Sequence, residues 1–113
     1  MKYSLKITDI AEEDILSAVK YITDELKNSQ AANTLLDEIE KHEEILENTP
    51  CIYPFVSDEY LAKRGLKYAM IKNYLMFFTI EKKNKIVNVI RFLYRRRDWK
   101  CLLKNNETEW WNL

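Results

Sequence analysis

From Tyr74 to Ile80 the chain reads Tyr-Leu-Met-Phe-Phe-Thr-Ile, and nearly every side chain is apolar or aromatic whichever way it points. A strand of this kind, rich in aromatic and β-branched residues and apolar on both faces, belongs in the middle of a sheet. It is far too short to cross a membrane, which takes about 20 apolar residues in a helix. The rest of the chain must therefore supply neighbouring strands and something to cover them. Leu66 to Lys72 alternates apolar and polar, and Ile86 to Tyr94 forms a last long strand interrupted by Asn88 and Arg91, with Lys82 to Asn84 making the turn before it. At the other end, Tyr3, Leu5 and Ile7 alternate with Lys2, Ser4 and Lys6, a strand with one face buried.

Between the first strand and the other three the period changes. Ala11, Ile15, Ala18, Val19, Ile22 and Leu26 recur at helical spacing, with Asp9 and Glu12 as a capping pair at the start. Asn28 and Ser29 break and restart the helix. Ala32, Leu35, Leu36, Ile39 and Leu46 carry the same period to Thr49-Pro50, which ends it. So short a break makes an antiparallel helical hairpin. Cys51 to Gly65 reads as a connector with one helical turn near Asp58 to Lys63, and Asp98 caps a short final helix through Leu103. The tail 105–113 shows no period but carries Trp110 and Trp111.

The fold class that follows is α+β, in the order β-α-α-β-β-β with a short C-terminal helix. A mainly antiparallel four-stranded sheet has the hairpin on one face, since its apolar stripe has nowhere else to pack. The other face is expected to stay partly open. Leu5, Ile7, Ile15, Val19, Ile22, Leu35, Ile39, Phe77, Ile80 and Val89 are the expected core. With 113 residues, one Gly and two Pro, the chain reads as a single domain over 1–113 without flexible linkers.

Composition excludes several classes of function. The N-terminus has no basic stretch followed by an apolar run, so no signal peptide is expected. Cys51 and Cys101 lack metal-ligand spacing and are expected as thiols. With His42 the only histidine, no metal site and no cofactor are expected. His42 falls beside Leu35, Ile39 and Leu46, so it is expected to flank the helix–sheet packing. Charge is the informative quantity. Met1 to Thr49 holds 5 Lys/Arg against 12 Asp/Glu, and Pro50 to Leu113 holds 13 against 6. Either acidic helices balance basic strands across one body, or a basic face meets an anionic partner.

The densest basic feature is Tyr94-Arg95-Arg96-Arg97-Asp98-Trp99-Lys100, three arginines at a strand end bracketed by aromatics. Arginine's planar fork donates two parallel hydrogen bonds to a phosphate or carboxylate and keeps its charge. Flanking aromatics stack on bases or on guanidinium planes. Arg91, Lys67 and Lys72 on neighbouring strands would extend the patch.

These residues resemble a known family. Ile90 to Trp99 resembles the terminal strand motif of RelE/ParE toxins, in which an apolar strand runs into a His-Gly-Arg-Arg-Asp-like segment. Lys72-Asn73-Tyr74-Leu75-Met76-Phe77-Phe78 resembles the family's Asn-Tyr-Arg-Ile-Phe-Tyr strand. Ala11 to Ala32, with Asp14, Tyr21-Ile22 and Ala31-Ala32, is similar to ParE-type members. The resemblance runs from Lys2 to Leu103.

It implies the toxin of a bacterial type II toxin–antitoxin system, cytoplasmic, and neutralised by a cognate antitoxin. The ParE-like reading is growth inhibition through a protein target such as DNA gyrase. The RelE-like alternative is a metal-independent endoribonuclease cutting mRNA at the ribosome. A third reading is a non-toxic binding module on the same scaffold. The resemblance assigns target binding to Lys67, Arg91, Arg95, Arg96, Arg97 and Trp99. If the chain is a nuclease, catalysis falls to Arg96, Arg97 and Tyr94. Four positions depart from the nuclease pattern: Leu75 replaces a frequent arginine, Lys67 another, Tyr94 stands for the motif's His, and Trp99 for Tyr. Metal-free cleavage needs a base, a charge stabiliser and an acid. Arg96 and Arg97 can stabilise charge and Tyr94 can donate a proton, but no residue stands out as the base.

Overall fold

The computed structural model describes residues 2–105; Trp110 and Trp111 lie outside them. Strand β1 (Ser4–Ile7) leads into α1 (Asp9–Lys20), whose helical path continues through a π-helical stretch, Tyr21–Glu25. The long helix α2 (Ser29–Asn48) follows. A 3-10 turn at Pro50–Ile52 and the short α3 (Glu59–Ala62) bridge to β2 (Lys67–Ile71), β3 (Tyr74–Glu81) and β4 (Ile86–Tyr94), and α4 (Trp99–Asn105) comes last.

Side-chain caps set most helix starts. The Asn28 side chain accepts from the Ala31 N–H at 3.0 Å, Asp58 from Leu61 at 3.1 Å, and Asp98 from Cys101 at 3.3 Å, each satisfying a donor that the first helical turn leaves orphaned. At α1 the cap is Thr8, not the expected Asp9. The Thr8 hydroxyl accepts from Ala11 N–H at 3.2 Å and donates to the Ile90 carbonyl at 3.1 Å, so one group caps the helix and ties it to the sheet.

The sheet order is β1-β4-β3-β2. β1 runs parallel to β4, and the other two pairings are antiparallel. β1 covers only the first half of β4, ending where Ile7 faces Val89. Between β3 and β4 the register shifts: Phe77 faces Arg91 and Phe78 faces Val89, leaving Ile90 as the extra residue of a bulge. A bulge resets the inside–outside alternation. It explains how Val89, Ile90, Phe92 and Leu93 are all buried, on two different faces.

One core lies between the helices and the sheet, with Leu35, Ile39 and Leu46 of α2 against Met76, Phe78, Val89 and Phe92. Of the expected core, Ile22, Leu35, Ile39, Phe77 and Val89 are buried, while Leu5, Ile7, Ile15, Val19 and Ile80 are half-buried at its margin. The second face differs from expectation. Leu61 of α3, Leu103 of α4, Val56 and Leu66 close over Leu75, Phe77, Ile90 and Leu93. A central strand apolar on both sides needs cover on both, and two short helices supply it; Met70, toward the β2 edge, remains exposed.

His42 flanks the helix–sheet packing: its Nδ1 lies 2.8 Å from the Tyr53 hydroxyl, and Tyr53 meets Phe78 edge-on. At the next residue of α2, partial burial and the neighbouring Glu47 and Glu40 hold the Glu43 carboxyl above the ordinary glutamate range. A raised folded-state pKa means stability gained below the unfolded value and lost as pH rises through the folded one. Glu43→Gln is therefore expected to stabilise the protein at neutral pH by roughly 0.5 kcal/mol, the scale of like-charge pairs three or four apart on a helix. Urea melts should show that gain fading as pH falls below the usual carboxylate range; a gain independent of pH would contradict the assignment.

Candidate functional site

The last long strand ends on an exposed turn. β4 finishes at Tyr94, Arg95 to Arg97 form the turn, and Asp98 opens α4. The turn is braced from two sides. Arg97 N–H donates to the Tyr94 carbonyl at 3.0 Å. Arg95 N–H donates to the Asn73 carbonyl at 2.8 Å, and Arg95 Nε to Asn73 Oδ1 at 3.3 Å. Asn73 belongs to the two-residue turn between β2 and β3, so the two strand ends are clamped together. Arg95, Arg96 and Arg97 are all exposed. Three adjacent cations stay at the surface because burying unpaired charge costs far more than the fold can supply.

Aromatic groups frame this turn. Tyr94 is exposed and meets the Tyr74 ring edge-on at 5.8 Å; Tyr74 in turn stacks on Phe92 at 5.0 Å. Burial, reinforced by the nearby Tyr21 and Tyr94 phenols, pushes the Tyr74 phenol above its usual value, which keeps it a neutral donor. On the opposite face Trp99 is half-buried and packs on Phe77, with ring centroids 5.1 Å apart, and Lys100 Nζ sits 5.6 Å from the Trp99 ring. The far end of α4 is fixed by Lys104, whose Nζ lies 2.9 Å from Asp58 Oδ2. That hydrogen bond, with the Leu61 N–H, holds the Asp58 carboxyl below its usual range.

Two of the residues assigned to target binding lie elsewhere. Lys67 faces Phe78, at the far end of β2 from the arginine turn. It is buried, its Nζ donating to the carbonyls of Tyr53 at 2.9 Å and Cys51 at 3.3 Å while lying over the Phe55 ring. Arg91 is also buried. Its guanidinium forks onto Asp14, Nε to Oδ2 at 2.7 Å and Nη2 to Oδ1 at 3.1 Å, and the same Oδ2 accepts the Phe92 N–H at 3.1 Å. Both cations are committed to internal carbonyl or carboxylate partners. The structure thus brings Arg95, Arg96, Arg97, Tyr94 and Trp99 to one end of the sheet, without Lys67 or Arg91. Leu75, at the position of a frequent nuclease arginine, is buried in the second core.

Sequence reasoning missed Asn73 as the brace of the turn and Tyr21 and Tyr74 as neighbours of Tyr94. The Lys72-Asn73 pair between two strand patterns was the available signal, since so short a loop must place its side chains beside the adjoining strand end.

A four-stranded sheet backed by an antiparallel helical hairpin, with a basic turn closing the last strand, defines a small α+β scaffold of the RelE/ParE kind. The family model for the ParE toxin of type II toxin–antitoxin system, parDE, matches residues 5–99, and the chain belongs to that family. Among solved structures, a chain of the chromosomal ParDE TA system from P. aeruginosa is similar at 16% identity, covering 82% of this chain and 96% of that one, with a TM-score of 0.65. A chain of the archaeal RelE–RelB complex from Pyrococcus horikoshii OT3 is similar at 16% identity, covering 86% and 99%, with a TM-score of 0.56. No curated protein matches the sequence.

Proposed function

We propose that this toxin inhibits growth in the bacterial cytoplasm by binding a protein target such as DNA gyrase through the Arg95–Arg97 turn, with Trp99 beside it. The observation that carries this reading is the division of labour among the cations. Lys67 and Arg91 are spent on the fold, Leu75 is buried, and three exposed arginines remain at one strand end. Exposed forks of this kind suit carboxylates and phosphates on a large partner. They do not assemble an acid–base pair, and Asp98, the carboxylate next to the turn, accepts from the Cys101 N–H. The test is a supercoiling assay with purified gyrase, in which the protein should inhibit at stoichiometric levels; normal supercoiling in its excess would reject the gyrase reading.

One observation favours a second reading, the ribosome-dependent mRNA endonuclease. Tyr94, the candidate proton donor, is exposed beside Arg96 and Arg97. Toeprinting of mRNA on ribosomes treated with the protein would show discrete cuts under that reading and none under the first.

Neutralisation by a cognate antitoxin would act on the same surface. A segment rich in Asp and Glu that covers the arginine turn would be steered by charge, which acts mainly on the rate of encounter. Association of toxin and antitoxin should therefore slow as ionic strength rises, with dissociation changing less. Stopped-flow on-rates that ignore salt would argue against an electrostatic role for the turn.

A further inference from the structure

The arginine turn is a β-turn. Arg97 N–H donates to the Tyr94 carbonyl three residues back, which makes Arg95 and Arg96 its two central residues. Both shoulders are fixed by the fold. Tyr94 sits in the β3–β4 ladder opposite Tyr74, and the Arg97 carbonyl accepts from the Trp99 N–H at 2.7 Å, where α4 begins. The two central residues are exposed. Among the described residues, the hydrogen bonds that reach them from elsewhere in the chain all go to Arg95, and all come from Asn73.

Asn73 is the second residue of the two-residue β2–β3 turn, whose first residue, Lys72, takes a left-handed backbone with φ of 57°. Its carbonyl accepts the Arg95 N–H at 2.8 Å, which extends the β3–β4 ladder one rung past the Tyr74–Tyr94 pair. Its side-chain Oδ1 accepts from Arg95 Nε at 3.3 Å. The Arg95 guanidinium is thereby drawn back onto the neighbouring hairpin. The Arg96 and Arg97 side chains have no hydrogen-bond or ion-pair partner among the described residues.

We propose that Asn73 is a positioning residue for this surface: its side chain locks Arg95 as the bolt of the turn, so that Arg96 and Arg97 are presented to the target in fixed directions. The inference rests on the reading of the turn as the contact surface, and it divides the three arginines into one that holds and two that bind. A segment already ordered in the free protein does not have to be ordered on binding, and holding one long side chain in advance is worth roughly twofold to tenfold in affinity. Asn73 acts in this way without touching the target.

The test uses the full chain. Nitrogen-15 relaxation of the arginine Nε–H groups reads the lock with no target present. In the parent, Arg95 Nε should be ordered on the picosecond–nanosecond scale while Arg96 and Arg97 are mobile. Asn73→Ala should release Arg95. Asn73→Asp keeps the acceptor oxygen and adds charge to the bond, so it should hold Arg95 in place. Melting curves check that these exposed-turn variants fold as the parent does. An Arg95 as mobile as Arg96 in the parent would overturn the proposal. The second readout is the dose of protein that halves growth. Asn73→Ala and Arg95→Ala should each raise it roughly twofold to tenfold. Asn73→Ala/Arg95→Ala should raise it no further than either alone, because both act through one bond, and Asn73→Asp should bring it back towards the parent. A large loss of potency in Arg95→Ala beside parent-like Asn73→Ala would make Arg95 a contact in its own right, and that too would overturn the proposal. A toxic parent with a mobile Arg95 fails the lock and not the toxin reading; an inert parent with an ordered Arg95 fails the toxin reading and not the lock.

Discussion

Asp14→Ala is expected to lower the unfolding free energy by about 3–5 kcal/mol, the usual cost of removing one partner from a buried ion pair. The carboxylate serves three donors at once, two from the Arg91 guanidinium and one from the Phe92 backbone. β1 stops opposite Val89, so beyond it the edge of β4 has no strand beside it. Asp14, projecting from α1, satisfies the Phe92 N–H at that edge and neutralises the guanidinium beside it. Alanine leaves both without a partner in a place that water reaches poorly, since the two side chains are only 10% and 13% exposed. Asp14→Asn keeps one acceptor oxygen and should fall between alanine and the parent. Urea denaturation of Asp14→Ala, Arg91→Ala and the double variant would measure the coupling directly. A loss below about 1 kcal/mol for Asp14→Ala would place it among ordinary surface changes and contradict its structural role.

That pair also marks where sequence reading stops. The strands and helices were legible because their periods are local: two residues for Leu66 to Lys72, three to four for Ala11 to Leu46. Asn28 and Asp98 were legible as caps for the same reason, whereas Asp58 marked only a helical turn. Arg91 and Asp14 stand 77 residues apart in sequence, and no local pattern announces that they meet. A cation at a strand position reads as surface, so Lys67 and Arg91 entered the candidate patch, whereas tertiary contacts draw both inside. The bulge at Ile90 is equally silent, because Asn88 and Arg91 look like interruptions of a strand rather than a change of register. The far face looked open because α3 is only four residues long, yet Leu61 and Leu103 suffice to close it over Phe77. At the site, the exposed Arg95–Arg97 turn was legible as a charge run ending a strand. Its brace at Asn73, and the tyrosines gathered beside it from the π-helical stretch after α1 and from β3, depend on how the turns meet.

Arg96→Ala/Arg97→Ala is expected to abolish most growth inhibition while leaving stability within about 1 kcal/mol of the parent. Stability should hold because both side chains are exposed, and the hydrogen bonds that shape the turn come from Arg95, Asn73, Tyr94 and the Arg97 backbone, none of which the substitution removes. Inhibition should collapse because arginine anchors commonly dominate a protein interface, a single one costing about 2 kcal/mol or more when truncated, or roughly thirtyfold in affinity. Two together exceed what a toxin acting near stoichiometry can lose. The same double variant, assayed in parallel, sorts the two activities. Loss of gyrase inhibition by a protein that never cut mRNA would support the ParE-like reading. Loss of ribosome-dependent cleavage, by about 10²-fold or more if the arginines stabilise charge on the phosphate, would support the nuclease. Lysine in place of each arginine keeps the charge but not the planar fork, so Arg96→Lys/Arg97→Lys should recover only part of the activity where two-point recognition matters. A folded double-alanine variant that still halts growth would move the active surface away from this turn, to another face of the molecule.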